Sequence, residues 1–108
     1  MYIYMAKVKQ GENFSIRVFQ TKAGATKAVK TAQAALYLQM EYNKDHGMHV
    51  NANGLGVYIP PNPDVKHKKE KVTKEDGKEV YYVNVYGKNG DFHYHKLAGY
   101  VKRLVVEY

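Results

Sequence analysis

The stretch EVYYVNVYGKNGDFHYHKL, residues 79–97, decides how this chain folds. Two runs of alternating residues meet at Asn89-Gly90, the dipeptide that most strongly marks a β-hairpin. The first run sets Tyr81, Val83 and Val85 on one side and Val80, Tyr82, Asn84 and Tyr86 on the other, because side chains alternate along a strand. With a tight turn at Asn89-Gly90, the second run adds His93 and His95 to the polar side and Phe92 and Tyr94 to the apolar one. Reading GKNG as a four-residue loop moves the pairing by two residues and leaves these faces unchanged. Upstream, a tight turn at Asp76-Gly77 lays KHKKEKVT beside the hairpin and adds His67, Lys69 and Lys71 to the polar side, with Val72 on the reverse. Downstream, GYVKRLVVEY supplies a final strand after Ala98-Gly99. The result is an antiparallel meander with one apolar side that needs a cover.

A helix supplies it. From Thr21 the period changes: Ala25, Ala28, Val29, Ala32, Leu36 and Met40 recur at spacings of three and four, which predicts an amphipathic helix over residues 22–45. Thr21 suits the N-cap and Gly47 the C-terminal stop, while Lys22, Lys30, Gln33, Tyr37 and Glu41 fall on the wetter side. Before the helix, residues 2–9 and 14–20 alternate around GEN. A three-residue connection there joins Tyr4, Ala6, Val8, Phe14, Ile16 and Val18 on one face and leaves Lys7, Lys9, Ser15 and Arg17 on the other. After the helix, MHVNANGLGVYI folds back at Asn53-Gly54, with Met48, Val50, Ala52, Leu55, Val57 and Ile59 on one face and His49, Asn51 and Tyr58 opposite. PPNPD, residues 60–64, is an extended connection. The expected architecture is α+β, one domain over residues 1–108: an N-terminal β-hairpin, one long amphipathic helix, then an antiparallel β-meander packed on the helix.

At 108 residues the chain builds one hydrophobic core. It carries a formal charge of +7 and a pI near 9.5, a field that attracts polyanions. There are no cysteines, so disulfides, thiolate nucleophiles and cysteine-ligated zinc are excluded. No apolar run approaches the roughly 18 residues of a spanning helix, and MYIYMAKVKQ is too polar for a secretion signal. A cytoplasmic protein with no membrane partner is the expectation. Eleven tyrosines stand against three phenylalanines and no tryptophan; tyrosine offers a stacking ring with a polar tip.

The polar side of the meander therefore gathers His67, Lys69, Lys71, Tyr82, Asn84, Tyr86, His93 and His95. Rings that stack on bases and lysines that meet phosphates are how sheets hold single-stranded nucleic acid. His93 and His95, with His67 approaching from the next strand, also raise the question of a metal. The surrounding lysines oppose a dication, and no carboxylate or thiolate completes the set, so neither a metal nor another cofactor is expected. Asp45-His46, Asn62 and His67 stand in the order of an HNH-type nuclease motif and resemble it over some twenty residues. That resemblance implies a metal-dependent nuclease, but the motif places its first histidine at the end of a strand, and His46 ends the predicted helix. GLGVYI lacks the third glycine, the lysine and the following helix of a phosphate-binding loop.

The sequence thus reads as a small, basic, non-enzymatic nucleic-acid-binding protein for single-stranded DNA or RNA. The alternative is a protein-binding inhibitor, since short, basic, cysteine-free and tyrosine-rich chains look like accessory proteins of bacteriophages that act on a host protein or nucleoprotein complex such as a defence nuclease. The partner is then an acidic protein or nucleoprotein surface. Oligomeric state is left open.

Overall fold

The alternating runs and the helical run become β1 (Tyr2–Gln10), β2 (Asn13–Phe19), α1 (Lys22–His46), β3 (Met48–Ala52), β4 (Leu55–Ile59), β5 (Lys66–Thr73), β6 (Glu79–Tyr86) and β7 (Phe92–Val105). These come from a computed structural model that describes residues 1–107, Ala52 by its backbone alone. Tyr108, expected in the last strand, and the expected inward or outward placement of the Ala52 side chain lie outside the described residues. Five strands form one antiparallel sheet in the order β2-β1-β7-β6-β5, and β3 and β4 form a separate hairpin. The fold is α+β, with an N-terminal hairpin, one helix, and later strands completing a sheet that packs on that helix.

The helix starts where expected. The Thr21 hydroxyl accepts the Gly24 N–H at 3.1 Å and so satisfies one of the free donors of the first turn. At the other end Gly47 takes φ 76° and donates to the Asn43 carbonyl at 2.7 Å. Ala25 and Val29 pack on Ala6, Val8, Tyr81, Ala98 and Val101, and Met40 packs on Val83 and Val85. Small residues on both sides, Ala25 and Ala98, let the helix approach the sheet closely. Burying a valine such as Val83, fully inaccessible here, is worth about 1.5–3 kcal/mol.

One flank of the helix departs from its expected role. Spacing places Gln33, Tyr37 and Glu41 on the wetter side, yet they face β5 and β6. The Gln33 amide is buried and donates to two backbone carbonyls, Glu70 at 3.0 Å and Tyr82 at 2.9 Å. One side chain thereby ties the helix to two neighbouring strands. The sheet is wider than the apolar stripe of the helix, so polar residues cover its far side and must find partners there.

Three connections differ from expectation by one residue, and in the first two the difference turns a whole strand over. The first hairpin closes on Gln10 and Asn13 around Gly11-Glu12, with Gly11 at φ 60° and Glu12 at negative φ; glycine first and then an ordinary residue is the type II′ pattern. Arg17 and Ser15 therefore share the helix side with Ala6 and Val8, while Phe14, Ile16 and Val18 share the outer side with Lys9, Lys7 and Met5. Between β5 and β6 the loop has three residues: Lys74 donates to the Lys78 carbonyl at 2.8 Å, and Gly77 sits at φ 84°. β5 is inverted relative to the tight-turn reading, so His67, Lys69 and Lys71 stand beside Val85, Val83 and Tyr81 on the helix side.

Between β6 and β7 the loop again has three residues, closed by Gly87 donating to Asp91 at 2.8 Å, and Phe92 pairs with Tyr86 on the outer side. A shift in register between Val85 and Tyr86 leaves His93 as the extra residue and restores the expected pairing of Asn84 with His95. The last strand does not begin anew after Ala98-Gly99. β7 runs unbroken through a second irregularity there and pairs with β6 along one side and β1 along the other.

Candidate functional site

β6 sorts its residues cleanly. Tyr81, Val83 and Val85 are buried beneath the helix, which leaves Val80, Tyr82, Asn84 and Tyr86 on the opposite face. Among the described residues no element covers that face, and the strand pairings complete it. Lys66, Lys68, Glu70 and Val72 stand beside Tyr86, Asn84, Tyr82 and Val80. From β7 come Phe92, His95, Leu97, Tyr100 and Lys102, and from β1 Lys7 and Lys9.

The rings gather in one place. Tyr82 and His95 lie 4.2 Å apart between centroids, Tyr86 and Phe92 5.8 Å, and Phe92 and His95 6.2 Å. Asn84 is buried among them; its amide donates to Tyr86 Oη at 3.3 Å and to Glu70 Oε2 at 3.4 Å. Its role on the face is to hold a ring in place, since its amide hydrogens are already spent. Farther along, Lys7 reaches over the rings of Phe14 at 5.0 Å and Tyr100 at 5.8 Å, and Lys78 lies over the Tyr100 ring at 4.7 Å. Such cations stay available to anions because a ring offers no countercharge.

Charge is divided unequally between the two faces. Glu41 and Glu79 serve the helix side: Glu79 meets Lys22 at 2.7 Å, and Glu41 meets Lys44 at 2.9 Å and His67 Nδ1 at 2.8 Å. These lysines hold both carboxyls below their ordinary range, and burial beside Glu79 pushes the Tyr81 hydroxyl up. On the outer face Glu70 is the single carboxylate among strand residues, against Lys7, Lys9, Lys66, Lys68 and Lys102.

Of the residues singled out from sequence, Tyr82, Asn84, Tyr86 and His95 come together on the outer face. His67, Lys69 and Lys71 do not join them. The His67 side chain is 5% exposed and edge-on to Tyr37, and Lys69 lies over the Tyr37 ring at 5.4 Å. His93 turns from His95 at the bulge and lies 3.7 Å from Asp91. The outer-face residues that sequence reasoning missed are Phe92, Tyr100, Lys7, Lys9, Lys66, Lys68 and Lys102. Gly11 followed by an ordinary residue was the available signal for a two-residue turn, and that turn alone moves Phe14 beside Lys7 and Lys9.

No three histidines or carboxylates converge on a point among the described residues. The HNH-like residues are scattered by the fold: His46 lies on α1 with its ring stacked on Tyr42, Asn62 donates its backbone N–H to Lys44, and His67 lies on a strand. His46, which that motif would place at the end of a strand, thus ends a helix. Comparison of the chain with protein-family models, with curated proteins and with solved structures gives no match.

Proposed function

We propose that the outer face of the sheet binds single-stranded nucleic acid, RNA or DNA, as a non-enzymatic module. The observation that carries this reading is the uncovered face on which Tyr82, Tyr86, Phe92, His95 and Tyr100 are interleaved with five lysines and one carboxylate. Rings at strand spacing accept successive bases, and lysines at the margins accept phosphates. Lys66 and Lys68, beside Tyr86 and Asn84, border the ring cluster and take the first phosphate contacts.

Fluorescence anisotropy with a labelled oligonucleotide across a salt series tests it. If about four phosphates are engaged, log K falls with log salt at a slope near −3 for a single strand. Phe92→Ala or Tyr82→Ala weakens binding by about 1–3 kcal/mol at every salt concentration. Lys66→Glu with Lys68→Glu weakens all sequences and flattens the slope, whereas Lys69→Glu with Lys71→Glu, on the opposite side, has the smaller effect. Binding that ignores salt, or equal loss from both lysine pairs, rejects this face as the site.

A protein partner is the second reading, and the β3–β4 arm favours it. Leu55 is 70% exposed, and Val57 and Ile59 beside it on the same face are also uncovered. Next to the arm a groove of about 730 Å³ is lined by Leu36, Met40, Met48 and the stacked pair Tyr42 and His46. Under this reading Leu55→Lys abolishes a stable complex with one protein partner, while naked oligonucleotides are not shifted.

A further inference from the structure

Among the described residues the sheet has two free edges, β2 and β5, and they are built differently. Along β5 the closing pair Lys74 and Lys78 fixes the ladder, so the backbone groups of His67, Lys69, Lys71 and Thr73 point away from β6. Lysine lines that edge, a common device against edge-to-edge pairing. Along β2 the closing pair Gln10 and Asn13 makes Asn13, Ser15, Arg17 and Phe19 point their N–H and C=O toward β1, while Phe14, Ile16 and Val18 point theirs outward. The side chains of these same three residues lie on the outer face, with Ile16 61% and Val18 59% exposed. Arg17 is the only charged residue in the strand. No proline, lysine or bulge protects it.

We propose that β2 pairs antiparallel with β2 of a second copy of this chain across a two-fold axis at Ile16, joining two five-stranded sheets into one of ten strands. Ile16 is the midpoint of Asn13–Phe19, so this register uses the whole strand. The hydrogen-bonding pairs become Ile16 with its symmetry mate and Phe14 with Val18 of the second copy, which joins the outward N–H and C=O groups of all three. On the outer face this places apolar residue against apolar residue. On the helix side Arg17 stands across from Ser15 of the second copy, so the one charge never meets itself. The same operation at β5 sets lysine against lysine in every register centred from His67 to Lys71, the registers that use most of the strand, which destabilises the pairing. For a chain of formal charge +7, β2 is thus the edge at which self-association meets least repulsion. The inference is independent of the nucleic-acid reading, and the two copies would carry both binding faces on the same side of the joined sheet.

The chain's lack of cysteine makes the test direct. Residues in a hydrogen-bonded antiparallel pair have Cα atoms about 5.5 Å apart, inside the range of about 4.4–6.8 Å that a disulfide spans. Ile16→Cys should therefore oxidise to a covalent dimer, and Lys69→Cys at the other edge should remain monomeric. Sedimentation velocity of the wild-type chain over a dilution series into the high micromolar range should show reversible dimers. Ile16→Lys should weaken that dimer about tenfold or more, with an unchanged circular dichroism spectrum and melting curve. Val18→Lys repeats the measurement should Ile16→Lys impair folding. A wild-type chain that stays monomeric throughout, together with no cross-link from Ile16→Cys, overturns the proposal. So does a dimer that survives both lysine substitutions and is lost on Leu55→Lys, since the arm would then be the interface.

Discussion

The chain turns at Asn-Gly twice, and the two turns are unlike. At the tip of the arm Asn53 and Gly54 both take positive φ, 54° and 82°, the type I′ turn of a two-residue loop. At the end of β6 only Gly90 does so, at φ 82°; Asn89 stays on the negative side and Lys88 joins the loop, making three residues. In the arm the strands are free to follow the twist that a type I′ turn favours. In the sheet β6 and β7 are held by further strands and by the helix, and a three-residue loop with one left-handed glycine fits their geometry. Local sequence proposes a turn, and the surroundings choose its length by one residue. In the sheet that one residue decides which side Phe92 takes, before the bulge at His93 restores the parity of β7.

The largest test of this contrast compares strand glycines in the two regions. A Cβ on Gly99 in β7 would collide with the Lys7 carbonyl oxygen and press on Val29 Cγ1 at 3.2 Å, whereas a Cβ on Gly56 in the arm meets nothing within 4 Å. Gly99→Ala should cost more than about 3 kcal/mol, as expected for overpacking against backbone, while Gly56→Ala stays within about 0.5 kcal/mol. Urea unfolding curves with global fits measure both. Next comes the turn pair itself. Asn53→Ala places alanine in a left-handed conformation at about 1 kcal/mol and should speed amide exchange in the arm without moving the global midpoint; Asn89→Ala should change neither. Equal effects from the two substitutions would mean that the turns are of one type.

The smallest expected effect concerns acid. Glu41 lies on the helix against Lys44 and His67, and its lowered pKa means that its ionised form is favoured in the folded chain. Its contribution is therefore complete above its ordinary value near 4.5 and is lost as pH falls through the lowered one. A partly exposed pair of this kind is worth about 0.2–1 kcal/mol. Glu41→Gln should remove that much at neutral pH, flatten the acid limb of the stability curve, and leave arm exchange unaltered. A variant whose acid limb matches the wild-type curve would show that the pair contributes nothing.

The order of elements, both caps of the helix and the inward set Ala25, Val29 and Met40 were legible because each rests on short-range rules of spacing and capping. The arm was legible in full wherever its side chains are described, since Asn53-Gly54 has a single reading in an unrestrained hairpin. The sorting of Tyr82, Asn84 and Tyr86 from Tyr81, Val83 and Val85 follows from alternation alone. What was not legible depends on parity. Three loops have lengths one residue away from the first reading, and parity is global along a strand, so His67, Lys69 and Lys71 all crossed together while Phe14, Ile16 and Val18 exchanged places with Arg17 and Ser15. His95 kept its assigned face because two departures, a longer loop and a bulge at His93, cancel. Nothing in the local sequence announces that bulge.

β7 is the middle strand of the sheet, bonded to β1 on one side and β6 on the other, although it is the last strand in the chain. Its partner β1 pairs residues 2–8 with residues 99–105, almost the greatest sequence separation the chain allows. Closing such contacts carries the loop entropy of everything between them, which slows folding relative to a sheet built only from neighbouring hairpins. During synthesis the first hairpin and the helix can form early, but β1 keeps an unpaired edge until β7 has emerged. β7, made after the other four strands of the sheet, therefore converts two separate pieces of β-structure into a single cooperative unit, and the sheet's window of exposure to misassembly lasts until it emerges.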